Sequence, residues 1–130
     1  MYLRLGSTQH TQFTFKPVPS FNLPILSVAV GQDHTLALTR SGEVFSWGLN
    51  RFSQLGYVVD VSNTPLTSSR FEEPIQYVPK RIVGLLKKEN VLGVSASKNA
   101  SACWTKDTVF TWGTNLGQLG TTSRLLHLLD

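Results

Sequence analysis

The sequence predicts an all-β protein, an incomplete β-propeller of about two four-stranded antiparallel blades. Residues 25–56 and 91–120 repeat one pattern, in which Val-Phe-x-Trp-Gly-x-Asn is followed by Gln-Leu-Gly. Each copy divides into short segments rich in β-branched residues, separated by turn-forming residues, without the apolar spacing of a helix. Four short strands in a repeat of about 50 residues or more are typical of a propeller blade.

The first copy predicts three consecutive strands and a return strand. Residues 25–30, 35–39 and 44–47 are the first three strands, because β-branched and aromatic residues alternate there between turn-forming segments. The return strand is predicted near residues 80–83. A long polar insert at residues 57–77 separates it from the third strand, and in the second copy a strand is predicted at residues 101–105.

Residues that recur in both copies are predicted to hold the blades together. The offset is 66 between Val28 and Val94 and decreases to 64 at the end of the motif, because the second copy lacks two residues. Large recurring aromatic side chains favour packing between blades. Trp104 aligns with Leu38, so a core position is expected for it as well. The predicted structural positions are His34, Trp47, Gly48, Asn50, Gln54, Leu55, Gly56, Trp112, Gly113, Asn115, Gln118, Leu119 and Gly120.

This organisation divides the chain into three parts. Residues 1–24 are interpreted as the end of a preceding repeat, residues 25–90 as a full repeat, and residues 91–130 as a repeat truncated at its last strand. Two blades do not close a ring, and ring closure is how propellers protect their strand edges. We therefore expect a fragment or a short form of a longer protein, with self-association as an open alternative.

Composition limits the classes of partner. Twelve Lys and Arg residues against eight Asp and Glu residues give a net charge of +4, but the basic residues form no long run, which argues against nucleic acid. No apolar stretch has the length of a membrane span. Cys103 is the single cysteine, so neither an intrachain disulfide nor a cysteine-based zinc site is expected. We expect no metal or cofactor, and a cytoplasmic or nuclear location.

No catalytic residues stand out, and no enzymatic activity is predicted. His34 has Ala100 at the equivalent position of the second copy, so we interpret it as a turn histidine that bonds to the backbone of the blade. Cys103 lies in a predicted strand and is interpreted as a small buried residue. The insert is the candidate protein-binding loop, because long loops on rigid scaffolds often bind partners. Its candidate contact residues are Leu66, Arg70, Phe71, Glu72 and Glu73.

The motif Gly-x-Asp-His-Thr-Leu-Ala-Leu-Thr, followed by Val-Phe-Ser-Trp-Gly-x-Asn and Gln-Leu-Gly, resembles the repeat of the regulator of chromosome condensation family. The resemblance implies a seven-bladed propeller. The first copy of this motif, the long insert and Cys-Trp-Thr-Lys-Asp-Thr-Val-Phe at residues 103–110 together resemble the propeller of proteins of the Bruton tyrosine kinase inhibitor type. Those proteins join ankyrin repeats, a propeller and BTB domains, and they are similar to substrate adaptors of cullin ubiquitin ligases.

Three functions follow from this resemblance. The first is a protein–protein interaction module, part of a BTB-type ubiquitin-ligase adaptor or scaffold. The second is guanine-nucleotide exchange on a small GTPase, and the third is chromatin binding, which the positive charge suggests. A kelch-type propeller is the structural alternative, and the Trp-Gly-x-Asn and Gln-Leu-Gly pair points away from it.

Overall fold

The computed structural model describes residues 11–19, 21–61 and 73–121. Four strands form an antiparallel sheet in chain order, called sheet A, and three form a second one, called sheet B. A single turn of 3₁₀ helix at Gly84–Leu86 lies between them. The strands of sheet A are β1 (Ile25–Val30), β2 (His34–Thr39), β3 (Val44–Leu49) and β4 (Ile75–Arg81), and those of sheet B are β5 (Gly93–Ala96), β6 (Ala100–Trp104) and β7 (Val109–Gly113).

The all-β prediction is confirmed, and the return strand is where it was wrong. β4 begins at Ile75, inside the segment predicted as insert, and ends at Arg81 instead of continuing to residue 83. It pairs with β3 from Leu49 opposite Ile75 to Phe45 opposite Arg81, with an irregularity near residue 47. β4 begins earlier than predicted because its first residues pair with β3, which is distant in the sequence. The sequence of residues 57–77 carries no local signal of that pairing. Sheet B shows three strands among the described residues, and the truncation of the second repeat at its last strand stays a prediction.

The hydrophobic core lies between the two sheets. Side chains at alternate positions of β2 and β3 face sheet B, because successive side chains of a strand point to opposite faces. The connection between β4 and β5 adds three apolar side chains to this core. Burying each such side chain contributes about 1.5–3 kcal/mol. The core residues are Leu36, Leu38, Val44, Ile82, Leu86, Val91 and Cys103, with Phe110 and Trp112 packed against them.

The face of sheet A away from sheet B is covered by an aromatic group. The ring of Phe21 packs edge-on against Phe45, with centroids 5.0 Å apart, and lies 6.2 Å from the ring of Trp47. Trp47 is buried as a result, with 5% of its surface exposed. None of the described residues belongs to a helix long and apolar enough to cross a membrane.

The expectation that Trp104 lies in the core is wrong. Leu38, its equivalent, is fully buried because it faces sheet B, whereas Trp104 is 41% exposed. Its ring lies across Gly93, where the space that a Cβ atom would need is filled by the indole. Trp104 occupies the position in β6 that Leu38 occupies in β2. No described residue covers the face of sheet B on which Trp104 lies.

Candidate partner-binding surface at the junction of the two sheets

Two corner loops, residues 50–56 after β3 and residues 115–120 after β7, are built by the same side chains. In the first loop the Asn50 amide accepts from the Leu55 N–H at 2.9 Å and donates to the Tyr57 carbonyl at 2.7 Å. The Gln54 side chain accepts from the Phe52 N–H at 2.8 Å. These bonds occupy the polar groups of the loop backbone, so the recurring Asn and Gln residues shape the corner.

The second loop repeats the bond from the Asn side chain to the residue after the loop and the bond to the Gln side chain, whereas the Asn side-chain oxygen accepts from a different N–H. Asn115 donates to the Thr121 carbonyl at 2.9 Å and accepts from the Gly117 N–H at the same distance. Gln118 accepts from the Leu116 N–H at 2.7 Å. A hydroxyl in the third strand of each sheet also donates to a loop carbonyl at 2.7 Å: Ser46 to Leu55 in sheet A, and Thr111 to Leu119 in sheet B. The predicted positions Asn50, Gln54, Asn115 and Gln118 thus lie in loop scaffolding.

The glycine after each recurring tryptophan lies in the left-handed region, with φ +110° at Gly48 and +107° at Gly113. A Cβ atom on Gly113 would lie 2.5 Å from the Asn99 carbonyl oxygen and 2.7 Å from Ala100 Cα. Both the dihedral angle and the close approach of the neighbouring backbone therefore require glycine there. Gly56 and Gly120, which end the two loops, also have positive φ.

The first corner loop joins the two sheets through one carbonyl. The Gln54 carbonyl accepts from Trp112 Nε1 at 2.9 Å and from the Ser101 hydroxyl at 2.7 Å. Trp112 therefore lies between the sheets. Trp47 does not, because it is on the opposite face of sheet A, beside Phe21. The expectation that the two sheets pack on each other through both tryptophans is wrong, since equivalent side chains point the same way from successive sheets.

His34 bridges the two sheets and differs from the turn histidine that we expected. Nε2 is 2.9 Å from the Ser101 hydroxyl, and because that hydroxyl donates to the Gln54 carbonyl, His34 is the donor in this contact. Burial lowers the pKa of His34 below 6.5, and the Ala100 carbonyl and the Asp33 carboxylate only partly oppose this effect. His34 and Ser101 are both buried, so a substrate could not reach this Ser-His pair.

Cys103 is buried in the core, as expected. Desolvation and the nearby Glu89 carboxylate raise the pKa of its thiol to about 11, so the thiolate that nucleophilic attack requires is scarce at neutral pH. No group of three metal-ligating side chains occurs within residues 11–19, 21–61 and 73–121.

An open cavity of about 500 Å³ lies beside Trp112, at the base of the insert. Tyr57 forms one wall, and its hydroxyl donates to the Ser46 carbonyl at 2.8 Å. Burial raises the pKa of this phenol to about 12, so it remains a donor. The Lys80 ammonium lies 4.8 Å from the centre of the Tyr57 ring on the outer side. The lining residues are Asn50, Ser53, Gly56, Tyr57, Val58, Val59, Pro74 and Trp112.

The cavity is the part of the surface that our sequence analysis missed. Four of the five predicted contact residues, Leu66, Arg70, Phe71 and Glu72, lie outside the described residues. The fifth, Glu73, forms an exposed ion pair with Arg51 at the edge of the cavity. The apolar run Tyr57-Val58-Val59 directly after Gln-Leu-Gly was the available signal, and Val58 is 88% exposed.

Comparison with known families agrees with this architecture. Two profiles of the regulator of chromosome condensation (RCC1) repeat match residues 25–54 and 41–104, which together exceed half of the chain. Among solved structures, human WBSCR16 shares 29% identity, with a TM-score of 0.58 over 73% of this chain and 21% of its own. Yeast RCC1 (Prp20) bound to Kap60 has a TM-score of 0.57 at 20% identity, over 76% of this chain and 21% of its own, and supports the fold alone.

Curated relatives are much longer than this chain. BTB/POZ domain-containing protein 1 of Schizosaccharomyces pombe is 36% identical over 90% of the chain and 8% of its own length. The inhibitor of Bruton tyrosine kinase of Xenopus laevis is 41% identical over 75% of the chain and 6% of its length. The probable E3 ubiquitin-protein ligase HERC4 of Homo sapiens is 33% identical over 75% of the chain and 8% of its own length. The chain thus spans less than a tenth of these relatives, and its two sheets are propeller blades.

Proposed function

Because this chain belongs to the regulator of chromosome condensation repeat family, we propose that it is a protein-binding part of a propeller in a BTB-type ubiquitin-ligase adaptor, without enzymatic activity of its own. Relatives named for a BTB/POZ domain and for E3 ligase activity support the adaptor role. The observation that carries the binding role is the apolar cavity beside Trp112, with an exposed Val58 at its edge.

The chemistry of this cavity suits an apolar side chain of a protein partner. Val58, Val59 and Pro74 give it apolar walls, and Trp112 is held in place by its bond to the Gln54 carbonyl. A rigid, partly buried aromatic residue surrounded by apolar contacts is a frequent energetic centre of interfaces. The Arg51–Glu73 ion pair supplies a polar rim.

Two arginine substitutions at equally exposed positions test the site. Val58→Arg places a charge at the cavity, whereas Leu116→Arg places the same charge in the second corner loop, and both side chains are nearly fully exposed, at 88% and 89%. A photo-crosslinking residue at position 59 identifies the partner. We expect that partner to bind the wild-type chain and Leu116→Arg and to be lost with Val58→Arg. Equal binding by all three proteins would refute the cavity as the site.

The adaptor role has its own test. The chain expressed by itself competes with the longer adaptor for the partner found by crosslinking, so it is expected to lengthen the half-life of that partner in a cycloheximide chase. Val58→Arg is expected to have no such effect. An unchanged half-life despite intact binding would remove the ubiquitin-ligase role and leave the binding role in place.

Nucleotide exchange and chromatin binding stay predictions. The solved structure of Prp20p from Saccharomyces cerevisiae, a protein described as binding Gsp1p and histones, is 20% identical to this chain and supports the fold alone. Acceleration of nucleotide release from a Ran-type GTPase would establish the first of these functions. Salt-dependent binding to nucleosomes would establish the second, because phosphate contacts release counterions.

A further inference from the structure

The outer edge of β7 has no partner strand among the described residues. The equivalent edge of β3 pairs with β4, where Ser46 faces Lys80 and Val44 accepts from the Ile82 N–H at 2.8 Å. Val109 and Thr111 are the equivalents of Val44 and Ser46, so their N–H and C=O groups point to the open edge. Val109 is also 69% exposed. An unpaired edge of this kind readily accepts another strand.

Residues 13–19, called the donor segment, resemble β4 but pair with no strand in the structure. Phe13 and Phe15 are almost completely exposed, at 95% and 102%. Phe15-Lys16-Pro17 matches Tyr77-Val78-Pro79 of β4, with an aromatic residue two positions before a proline. Among the described residues, the chain thus offers an exposed strand-like segment and a sheet edge without a partner strand.

The donor segment and β4 are each followed by an apolar side chain that packs on a sheet, and with Pro17 aligned to Pro79 this side chain lies one position later after the donor segment than after β4. Phe21 packs on Phe45 and Trp47 of sheet A. Ile82 lies in the core cluster against which Phe110 and Trp112 pack in sheet B. The donor segment therefore precedes its anchor, Phe21, as β4 precedes Ile82.

The prolines of the donor segment restrict the register in which it can pair. The Ile82 N–H faces β3, so in an antiparallel ladder the Lys80 N–H also faces β3 and the N–H of Arg81 points away. With Pro17 in the place of Pro79, Val18 takes the place of Lys80 and Pro19 that of Arg81. Both prolines then fall where no ladder bond is made, and the Val18 N–H faces Thr111. Prolines on the outward side also prevent a further strand from adding.

We propose that the donor segment of one copy of this chain adds as an antiparallel fourth strand to β7 of a second copy. The donor is anchored by Phe21 on the face of sheet A opposite sheet B, so donor and acceptor lie on opposite sides of the molecule. Each copy carries one donor and one acceptor, and the association is head-to-tail. It brings the donor copy next to the exposed Trp104 and Val109 of the acceptor copy. This inference does not depend on the proposed function.

Sedimentation velocity of the full 130-residue chain across a concentration series tests the association. The wild-type chain is expected to form head-to-tail oligomers as its concentration rises. Val18→Pro removes one N–H from the added strand and is expected to weaken association about threefold to tenfold. Val18→Ala, which keeps that N–H, is the matched control and is expected to associate like the wild type within about twofold. Position 18 lies outside both sheets, so neither substitution disturbs the fold.

A mixed disulfide tests the register. Leu49 faces Ile75 in sheet A, so Thr114 of the acceptor copy is expected to face Phe13 of the donor copy. Phe13→Cys protein mixed with Thr114→Cys protein is expected to give a crosslinked heterodimer under mild oxidation, while the wild-type chain with its buried Cys103 gives none. A monomer at every concentration, equal association of Val18→Pro and Val18→Ala, or absence of the mixed disulfide would each overturn the proposal.

Discussion

Sheets A and B carry the same repeat in two different surroundings. Sheet A presents Leu36 and Leu38 to its neighbour, and both are fully buried. Sheet B presents Ala102 and Trp104 at the equivalent positions to a face that no described residue covers, and there the larger side chain is 41% exposed. The comparison teaches that a repeat fixes the direction of a side chain, and that the next sheet decides whether the side chain is buried.

The largest expected effect is a difference in the free energy of unfolding between substitutions at two of these equivalent positions. Leu38→Ala opens a cavity between the sheets and is expected to lower the free energy of unfolding by about 2–5 kcal/mol. Trp104→Ala removes a half-exposed side chain and is expected to cost about 1 kcal/mol, although it deletes more atoms. Urea denaturation followed by circular dichroism measures both values. Equal losses would contradict the difference in surroundings.

A glycine pair separates steric contact from dihedral strain. Gly113→Ala forces a Cβ atom onto the Asn99 carbonyl and is expected to cost about 3 kcal/mol. Gly117→Ala has nearly the same φ, +102°, but nothing lies within 4 Å of its Cβ position, so about 1 kcal/mol is expected. Thermal melts of both variants compare them. Similar melting temperatures would show that the dihedral angle alone matters.

The smallest effect concerns the His34 bridge, which sheet B does not repeat. Because burial lowers the pKa of His34, the unfolded chain binds more protons than the folded chain below pH 6.5. The free energy of unfolding is therefore expected to be constant above that pH and to decrease below it, by at most about 1.4 kcal/mol per pH unit. The decrease ends once the pH falls below the folded-state pKa.

Urea denaturation at a series of pH values between 5 and 8 is the measurement for His34. His34→Gln, which keeps a donor for the Ser101 hydroxyl, is the control and is expected to lose this part of the pH dependence. A parallel decrease in wild type and variant would assign the effect to other groups.

Much of the fold was predictable from local pattern. The strand at residues 25–30 was predicted with its observed bounds, β2 begins one residue earlier than predicted, and β3 continues two residues further. The repeat also identified the corner loops, because Asn and Gln at fixed spacing bond to backbone within a few residues. The start of β4 was not predictable, since it depends on pairing with β3 across the insert.

The candidate site was predicted less well. The polar middle of the insert was predicted to bind the partner. The described surface is instead formed by residues at the two ends of the insert, such as Val58 and Pro74, with Trp112 from the other sheet. A surface formed by two sheets has no local signature, because sequence separation does not indicate which loop faces which strand.

Local signals were enough to show that this chain is built from strands, that it contains one repeat twice, and which residues shape the loops, because period-two alternation and short-range hydrogen bonds involve neighbouring residues. The packing of the two sheets was needed to place Trp112 between them and Trp47 outside, to bond His34 to Ser101 and to leave Trp104 exposed. Burial and long-range hydrogen bonds depend on the surface that packs against each face, and that surface comes from residues far away in the chain.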